Sequence, residues 1–159
     1  MTALRFEAMA TEIVRALQNG SNDANGQPPE RHVSDGAGVP CRHCLTEVAR
    51  GEPFIILAHR PFPTPQPYAE TGPIFLHADG CDRYDRTAGV PPMFLSWQAL
   101  LLRGYGDDDR IVHGTGTVVP VAEIATASAA ILGRPDIAYV HVRSSTNNCF
   151  QCRIERGSD

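Results

Sequence analysis

Apolar and polar residues alternate with two different periods near the start of the chain. Leu4 and Phe6 alternate with charged neighbours, which predicts a short strand. In 10–18 the apolar residues instead fall on one side of a helix, and an Asn-Gly pair ends it. The Asn-, Gly- and Pro-rich stretch 19–29 then predicts a flexible loop.

Strand patterns dominate the remainder of the chain. Short apolar or alternating runs predict strands at 54–59, 74–77, 99–105, 139–142 and 150–154. Turn residues at 106–109 predict that the third of these runs folds back as a hairpin with 110–113. Segment 120–132 predicts the longest helix, because Pro120 suits a first helical turn and Gly133 ends the apolar pattern. The order of elements predicts an α+β fold, in which a mainly antiparallel sheet carries both helices.

The segment 60–73 holds five prolines in 14 positions and must run extended. Arg60, Tyr68 and Glu70 lie on this stiff segment, and Arg143 ends a predicted strand. Because a rigid backbone suits a binding site, these four are candidate ligand-binding residues, and the two arginines suit a small anion. The alternative is a loop that only covers a sheet edge, with Arg60 paired to Glu70.

Composition limits the classes of function. The 159 residues are 42% hydrophobic and 20% charged, which predicts one globular domain over 1–159. All 14 basic residues are arginine, so Schiff-base and P-loop lysine chemistry is excluded. A net charge of −4 with scattered arginines argues against nucleic acid as a partner. The sequence also shows no membrane span and no signal region, so we expect a cytoplasmic protein.

Cysteine and histidine carry the clearest chemical signal. The five cysteines form two C-x-x-C pairs, Cys41 with Cys44 and Cys149 with Cys152, and one further cysteine, Cys81, follows His77 by four positions. In a reducing compartment, metal ligation or free thiols are favoured over disulfides. Soft ligands at these spacings predict zinc. Buried free cysteines, or a redox or disulfide use, remain as alternatives.

Two sets of four ligands fit a zinc site. An extended strand directs positions i and i+3 to opposite faces, so each C-x-x-C would offer one sulfur unless a bulge intervenes. This favours Cys44, His77, Cys81 and Cys152, provided that the residues after 77 turn helical. The four-sulfur set is Cys41, Cys44, Cys149 and Cys152. Neither pair is followed by the glycine that is usual after the second ligand of a zinc knuckle. Strand alternation also places Cys152 on one face with Phe150 and Ile154, and Cys149 on the other.

Several longer segments carry a family resemblance: GQPPER at 26–31, PCRHCL at 40–45, RPFP at 60–63 with YAETGPIF at 68–75, and AYVHVR at 138–143 with CFQCRIER at 149–156. With these segments the chain resembles, over nearly its whole length, the bacterial family known as domain of unknown function 1203. The resemblance implies a small bacterial cytosolic protein. It implies no activity, substrate, cofactor or catalytic residue.

The sequence therefore predicts a compact, zinc-stabilised domain that binds an unidentified ligand or partner. The alternative is a small-molecule enzyme with its site near the proline-rich segment, in one form with a zinc held by three protein ligands and a water. The number of protein ligands on the metal separates these two interpretations, because a closed set of four is typical of structural zinc.

Overall fold

The computed structural model describes residues 3–158 and has two antiparallel sheets and two α-helices in that range. In chain order the elements are β1 (Leu4–Glu7), α1 (Thr11–Gln18), β2 (Glu30–Val33), β3 (Pro53–His59), β4 (Gly72–His77), β5 (Ala99–Tyr105), β6 (Thr117–Pro120), α2 (Ile124–Leu132), β7 (Tyr139–Ser144) and β8 (Phe150–Arg156). Short 3₁₀ turns cover Pro92–Ser96 and Val121–Glu123, and the second leads directly into α2. No helix among the described residues has the length and apolar character needed to cross a membrane.

The larger sheet, with strand order β1-β8-β7-β5-β6, buries one face under α2. Alternate residues of its central strands form that face and are almost fully buried: Leu100, Leu102, Val140, Val142, Cys152 and Ile154. Ile124 and Leu132 of α2 belong to the same core. Removal of this apolar surface from water, at about 25 cal/mol per Å², stabilises the packing of helix on sheet.

The smaller sheet, β2-β3-β4, forms a second core with α1. β3 and β4 pair so that Ile55 lies opposite Leu76 and Leu57 lies opposite Ile74, which places all four on one face. Val14 of α1 is fully buried in the same core. A helix as short as α1 is marginal alone in water, so its stability depends on this packing.

The proline-rich segment connects β3 to β4 and is therefore the long loop of a hairpin. It leaves its own sheet and packs on the face of the larger sheet that α2 does not cover. The Phe62 ring in this loop lies 5.4 Å from the Tyr105 ring and 5.2 Å from the His141 ring, between ring centroids. The β3–β4 loop of the smaller sheet thus covers this face of the larger sheet.

Most of the predicted elements and the α+β class are confirmed, but two elements differ. After the turn that follows β5, Ile111 makes only an isolated bridge to Tyr105, and regular pairing with β5 resumes at β6 rather than at 110–113. The strand β2 was not predicted, because its four residues are all exposed and carry no apolar alternation. The loop at 19–29 contains no helix or strand, and the Asp23 carboxylate accepts a hydrogen bond of 2.9 Å from the Ala58 amide of β3.

A β-bulge changes the side-chain orientation at the start of β8. Val142 pairs with Cys152 but Arg143 pairs with Phe150, so Gln151 is an extra residue between the two pairs. Phe150 therefore lies with the His141 ring, 4.8 Å away between centroids, and does not share the face of Cys152. The prediction that Phe150 shares a face with Cys152 is therefore wrong, because the bulge lies between them.

We expect Cys152→Ser to destabilise the protein more than Cys149→Ser. Cys152 is fully buried in the larger core, where a hydroxyl without a partner costs about 1–3 kcal/mol, whereas Cys149 is partly exposed. Midpoints of chemical unfolding for the two variants and the parent measure the difference. Equal losses would contradict the placement of Cys152 in the core.

His59, at the end of β3, makes the stability of the protein depend on pH. Burial, and then the charge of Arg42, lower the pKa of His59 to about 4, below the value of about 6.5 for an unfolded histidine. The unfolded chain protonates His59 more readily than the folded chain does. The contribution of His59 to the free energy of unfolding is therefore fully present above about pH 6.5 and is lost as the pH falls towards 4.

In His59→Gln the loss of unfolding free energy between pH 7 and pH 5 should therefore shrink by about 2 kcal/mol. Urea titrations of parent and variant at each pH measure this, because contributions from other groups cancel in the difference. An unchanged pH dependence in the variant would show that His59 is not held neutral by burial.

Candidate metal centre

Cys41, Cys44, His77 and Cys81 form one group in the structure. Their three sulfur atoms and one imidazole nitrogen all lie within 4.8 Å of one another. The Sγ atoms of Cys41 and Cys81 are 3.9 Å apart, and Sγ of Cys44 is 3.4 Å from Nδ1 of His77. A tetrahedral metal with bonds of about 2.3 Å to sulfur has ligand-to-ligand edges of about 3.8 Å. The group therefore has the dimensions of a tetrahedral metal site.

A tight turn supplies the first two ligands. The Leu45 amide donates to the Cys41 carbonyl oxygen, and the Cys41 amide donates to the Thr46 carbonyl oxygen, both at 3.0 Å. Leu45 has a φ of 54°, the left-handed conformation for which glycine is preferred after the second cysteine. Its side chain is fully buried in the larger core, and this burial offsets a backbone cost of about 1–2 kcal/mol.

The other two ligands come from the end of β4 and the loop after it. This loop is not helical, in contrast to the prediction for the His77 to Cys81 spacing. Side chains of α1 hold it instead. Gln18 Nε2 donates to the carbonyl oxygens of His77 at 2.8 Å and Asp79 at 2.9 Å, and Arg15 Nη2 donates to that of Cys81 at 2.7 Å. The N-terminal helix thus fixes half of the site.

His43, between the two cysteines of the turn, bonds a ligand. Its Nδ1 lies 3.1 Å from Sγ of Cys81, and its Nε2 lies 2.9 Å from the Thr11 hydroxyl. Burial, and then the Arg15 charge, lower the pKa of His43, which favours the neutral ring. We assign the tautomer in which Nδ1–H donates to the sulfur and the Thr11 hydroxyl donates to Nε2. This role of His43 was not predicted, because no spacing in the sequence distinguishes His43 from an ordinary intervening residue.

Further contacts orient the ligands themselves. His77 Nε2 is 3.5 Å from a carboxylate oxygen of Glu52, and the His77 amide lies 3.3 Å from Sγ of Cys41. A carboxylate behind a metal-binding histidine fixes the ring orientation and raises the basicity of the ligating nitrogen. The geometry therefore leaves Nδ1 of His77 as the ligating atom.

The electrostatics of the group favour a cation. Hydrogen bonds with Cys44 and Cys81 lower the pKa of the Cys41 thiol, and hydrogen bonds with Cys41 and Cys44 raise the pKa of His77 to about 10. Hydrogen bonds with Cys41 and Cys44, followed by burial, raise the pKa of Cys81. The protein alone therefore does not stabilise three thiolates together, whereas a divalent cation would stabilise all of them.

The structure does not bring Cys149 or Cys152 into this group. Cys152 faces the larger core, where burial raises its pKa, and Cys149 lies beside the β7–β8 turn. Relative to the favoured sequence set, Cys41 takes the position expected for Cys152, because Cys41 and Cys44 lie in a turn that aims both sulfurs at one point. The four-sulfur set is not assembled. All five cysteines lie in the described range and are free.

Arg42, the other residue between the two cysteines, joins the turn to the larger sheet. Its Nε donates to the Phe150 carbonyl oxygen at 2.7 Å, and its Nη1 donates to that of Pro40 at 2.6 Å. The guanidinium also lies over the Phe75 ring, 5.7 Å from its centroid. Burial lowers the pKa of Arg42 to about 10, so the group stays charged at neutral pH.

Two of the four candidate ligand-binding residues lie together. Glu70 Oε2 is 3.5 Å from Arg143 Nη1. Arg60 does not pair with Glu70 and instead donates to a main-chain carbonyl oxygen two residues further on. Tyr68 is held elsewhere on the loop, with its hydroxyl 3.3 Å from the His113 ring. The alternative in which an Arg60 to Glu70 pair closes the loop therefore does not describe this structure.

A family model described as "Protein of unknown function (DUF1203)" matches residues 38–156. This region contains all four residues of the candidate metal centre as well as Glu70 and Arg143. No curated protein and no solved structure matched the chain. Since the family model covers more than half of the sequence, the chain belongs to the DUF1203 family.

Proposed function

We propose that Cys41, Cys44, His77 and Cys81 bind one zinc ion and that this ion stabilises a binding domain. The observation that carries the proposal is the mutual distance of four ligand atoms, all within 4.8 Å, with separations close to tetrahedral edges. Three thiolates and one imidazole form a donor set that zinc prefers, and softer than the oxygen ligands of magnesium or calcium.

The ligand count supports a structural ion over a catalytic one. A catalytic zinc keeps a coordination position open for water and uses three protein ligands, whereas this group supplies four. A zinc-dependent enzyme would require one of the four to remain off the metal. The hydrogen bonds on Cys41 and Cys81 and the carboxylate behind His77 oppose such a displacement.

A bound ion would connect the C-x-x-C turn, the end of β4 and the following loop. Binding to the folded state alone adds about 4.1 kcal/mol when free zinc is 1,000 times the dissociation constant. The proposal also favours the reducing cytosol as the place of action, because three thiolates must stay unoxidised to hold the ion.

Protein purified without chelator should contain about one zinc per chain. Cys41→Ser and Cys81→Ser should lose most of it, whereas Cys149→Ser should keep it. Cys149 is the matched control, since it is also a free cysteine of a C-x-x-C pair but lies outside the group. Elemental analysis gives the stoichiometry, and metal-free parent protein with all thiols titrating freely after denaturation would refute the proposal.

Removal of the zinc by a chelator should lower the thermal midpoint by about 8–16 °C, if about 4 kcal/mol is lost at 2–4 °C per kcal/mol. Differential scanning calorimetry with and without chelator measures the shift. Cys41→Ser should show little further shift, because it holds little metal to lose.

Glu52→Gln tests the carboxylate behind His77. Removing the charge should weaken zinc binding by about tenfold, because the imidazole loses its orienting partner. Glu47→Gln is the control, since Glu47 is exposed and borders the turn but makes no ion pair with His77 among the described residues. Competition with a chromogenic chelator gives both affinities, and equal affinities for the two variants would remove the role assigned to Glu52.

A further inference from the structure

A cavity of about 210 Å³ lies where the proline-rich loop meets the turn between β7 and β8. Its walls include His59, Pro61, Glu70, Arg143 and Phe150, and none of the four residues of the metal centre. Pockets that hold drug-sized ligands measure about 300–1,000 Å³, and this cavity is smaller than that. The space therefore suits a small molecule rather than a polymer.

Arg143 is the charged group of the cavity with unmade hydrogen bonds. Its side chain is only 4% exposed. Nη1 donates to the Asn148 carbonyl oxygen at 3.1 Å, but Nε and Nη2 have no partner within the described part of the chain. These two nitrogens form the edge of a guanidinium that binds a carboxylate or phosphate through two parallel hydrogen bonds.

The local charge balance is positive although the chain as a whole carries −4. Glu70 is shared between two arginines, because its Oε1 lies 3.0 Å from Arg103 Nη2 while its Oε2 lies 3.5 Å from Arg143 Nη1. His59 adds no charge at neutral pH, since burial lowers its pKa to about 4. Two guanidinium groups thus face one carboxylate, and an anion in the cavity would restore neutrality.

The walls are stiff and partly apolar, which limits the cost of binding. Pro61 and Pro73 fix the backbone on the loop side, and Phe62 anchors the loop on the larger sheet. Nε and Nη2 of Arg143 are closed to bulk water, so an anion reaches them only after the guanidinium turns towards the cavity. That movement loosens the contact with Glu70, which is long at 3.5 Å.

We propose that this cavity binds a small organic or inorganic anion, whose carboxylate or phosphate group is held by the Nε and Nη2 edge of Arg143. The site is independent of the zinc proposal, because no metal ligand lines it. Glu70 competes with the ligand for Arg143, and Arg103 holds Glu70 in place.

The test is a calorimetric titration of the full chain, as purified without chelator, with inorganic phosphate and, separately, with succinate, against sodium chloride at equal ionic strength. Saturable binding of at least one of the two anions is expected. Comparison of the two affinities shows whether the site prefers a phosphate or a carboxylate group.

Variants locate the site. Arg143→Gln should weaken binding by more than tenfold, and Arg143→Lys, which keeps the charge without the fork, should weaken it less. Glu70→Gln should strengthen binding several-fold, because it removes the competing carboxylate. Arg60→Ala is the matched control and should leave affinity unchanged, since Arg60 lies on the same loop but lines a different cavity. Zinc content is measured for each variant, so that failure of this proposal and failure of the zinc proposal are distinguishable.

Absence of saturable binding of both anions to the parent protein overturns the proposal. It is equally overturned if Arg143→Gln and Glu70→Gln bind with the affinity of the parent. In that case any anion would belong elsewhere, for instance to the larger cavity of about 400 Å³ that Arg42 lines on the other side of the β7–β8 turn.

Discussion

The fold depends on one tight turn, Cys41 to Leu45, at which the two hydrophobic cores meet. Cys41 belongs to the smaller core and Leu45 to the larger one. Between them, Arg42 bonds a carbonyl oxygen of β8, and His43 bonds the sulfur of Cys81. Each of the five residues therefore has a partner outside the turn or a buried position. A zinc ion held by this turn, β4 and the following loop would strengthen the connection between the two cores.

The face of the larger sheet opposite α2 imposes a second constraint. Tyr105, Tyr139 and His141 on that face are almost fully buried, although α2 lies on the opposite side. The long β3–β4 loop provides the cover, with Phe62 among the rings and Glu70 between two arginines. A loop rich in proline suits this task, because it holds an extended course without needing backbone partners. The same loop forms one wall of the cavity at Arg143.

The sequence could predict elements whose two faces differ in polarity, such as β5 with its buried Leu100 and Leu102. It could not predict β2, which is exposed on both faces, or the bulge at Gln151, which depends on pairing with β7. Three of the four residues of the candidate metal centre, all except Cys41, belonged to the ligand set that the sequence favoured. Cys41 did not, because an extended C-x-x-C offers only one sulfur, whereas here Leu45 is buried and adopts the left-handed conformation that glycine usually provides in such a turn. The roles of Arg15, Gln18 and His43 depend on tertiary contacts and leave no trace in spacing.

X-ray absorption spectroscopy at the zinc edge would show the ligands of the bound ion. A closed site has a four-coordinate ion with three sulfur ligands at about 2.3 Å and one nitrogen ligand at about 2.0–2.1 Å. Replacement of Cys149 by serine should leave this shell unchanged, whereas replacement of Cys81 should remove most of the zinc signal. A shell in the parent protein with four sulfurs, or with an oxygen ligand from water in place of a protein ligand, would contradict the closed site of Cys41, Cys44, His77 and Cys81.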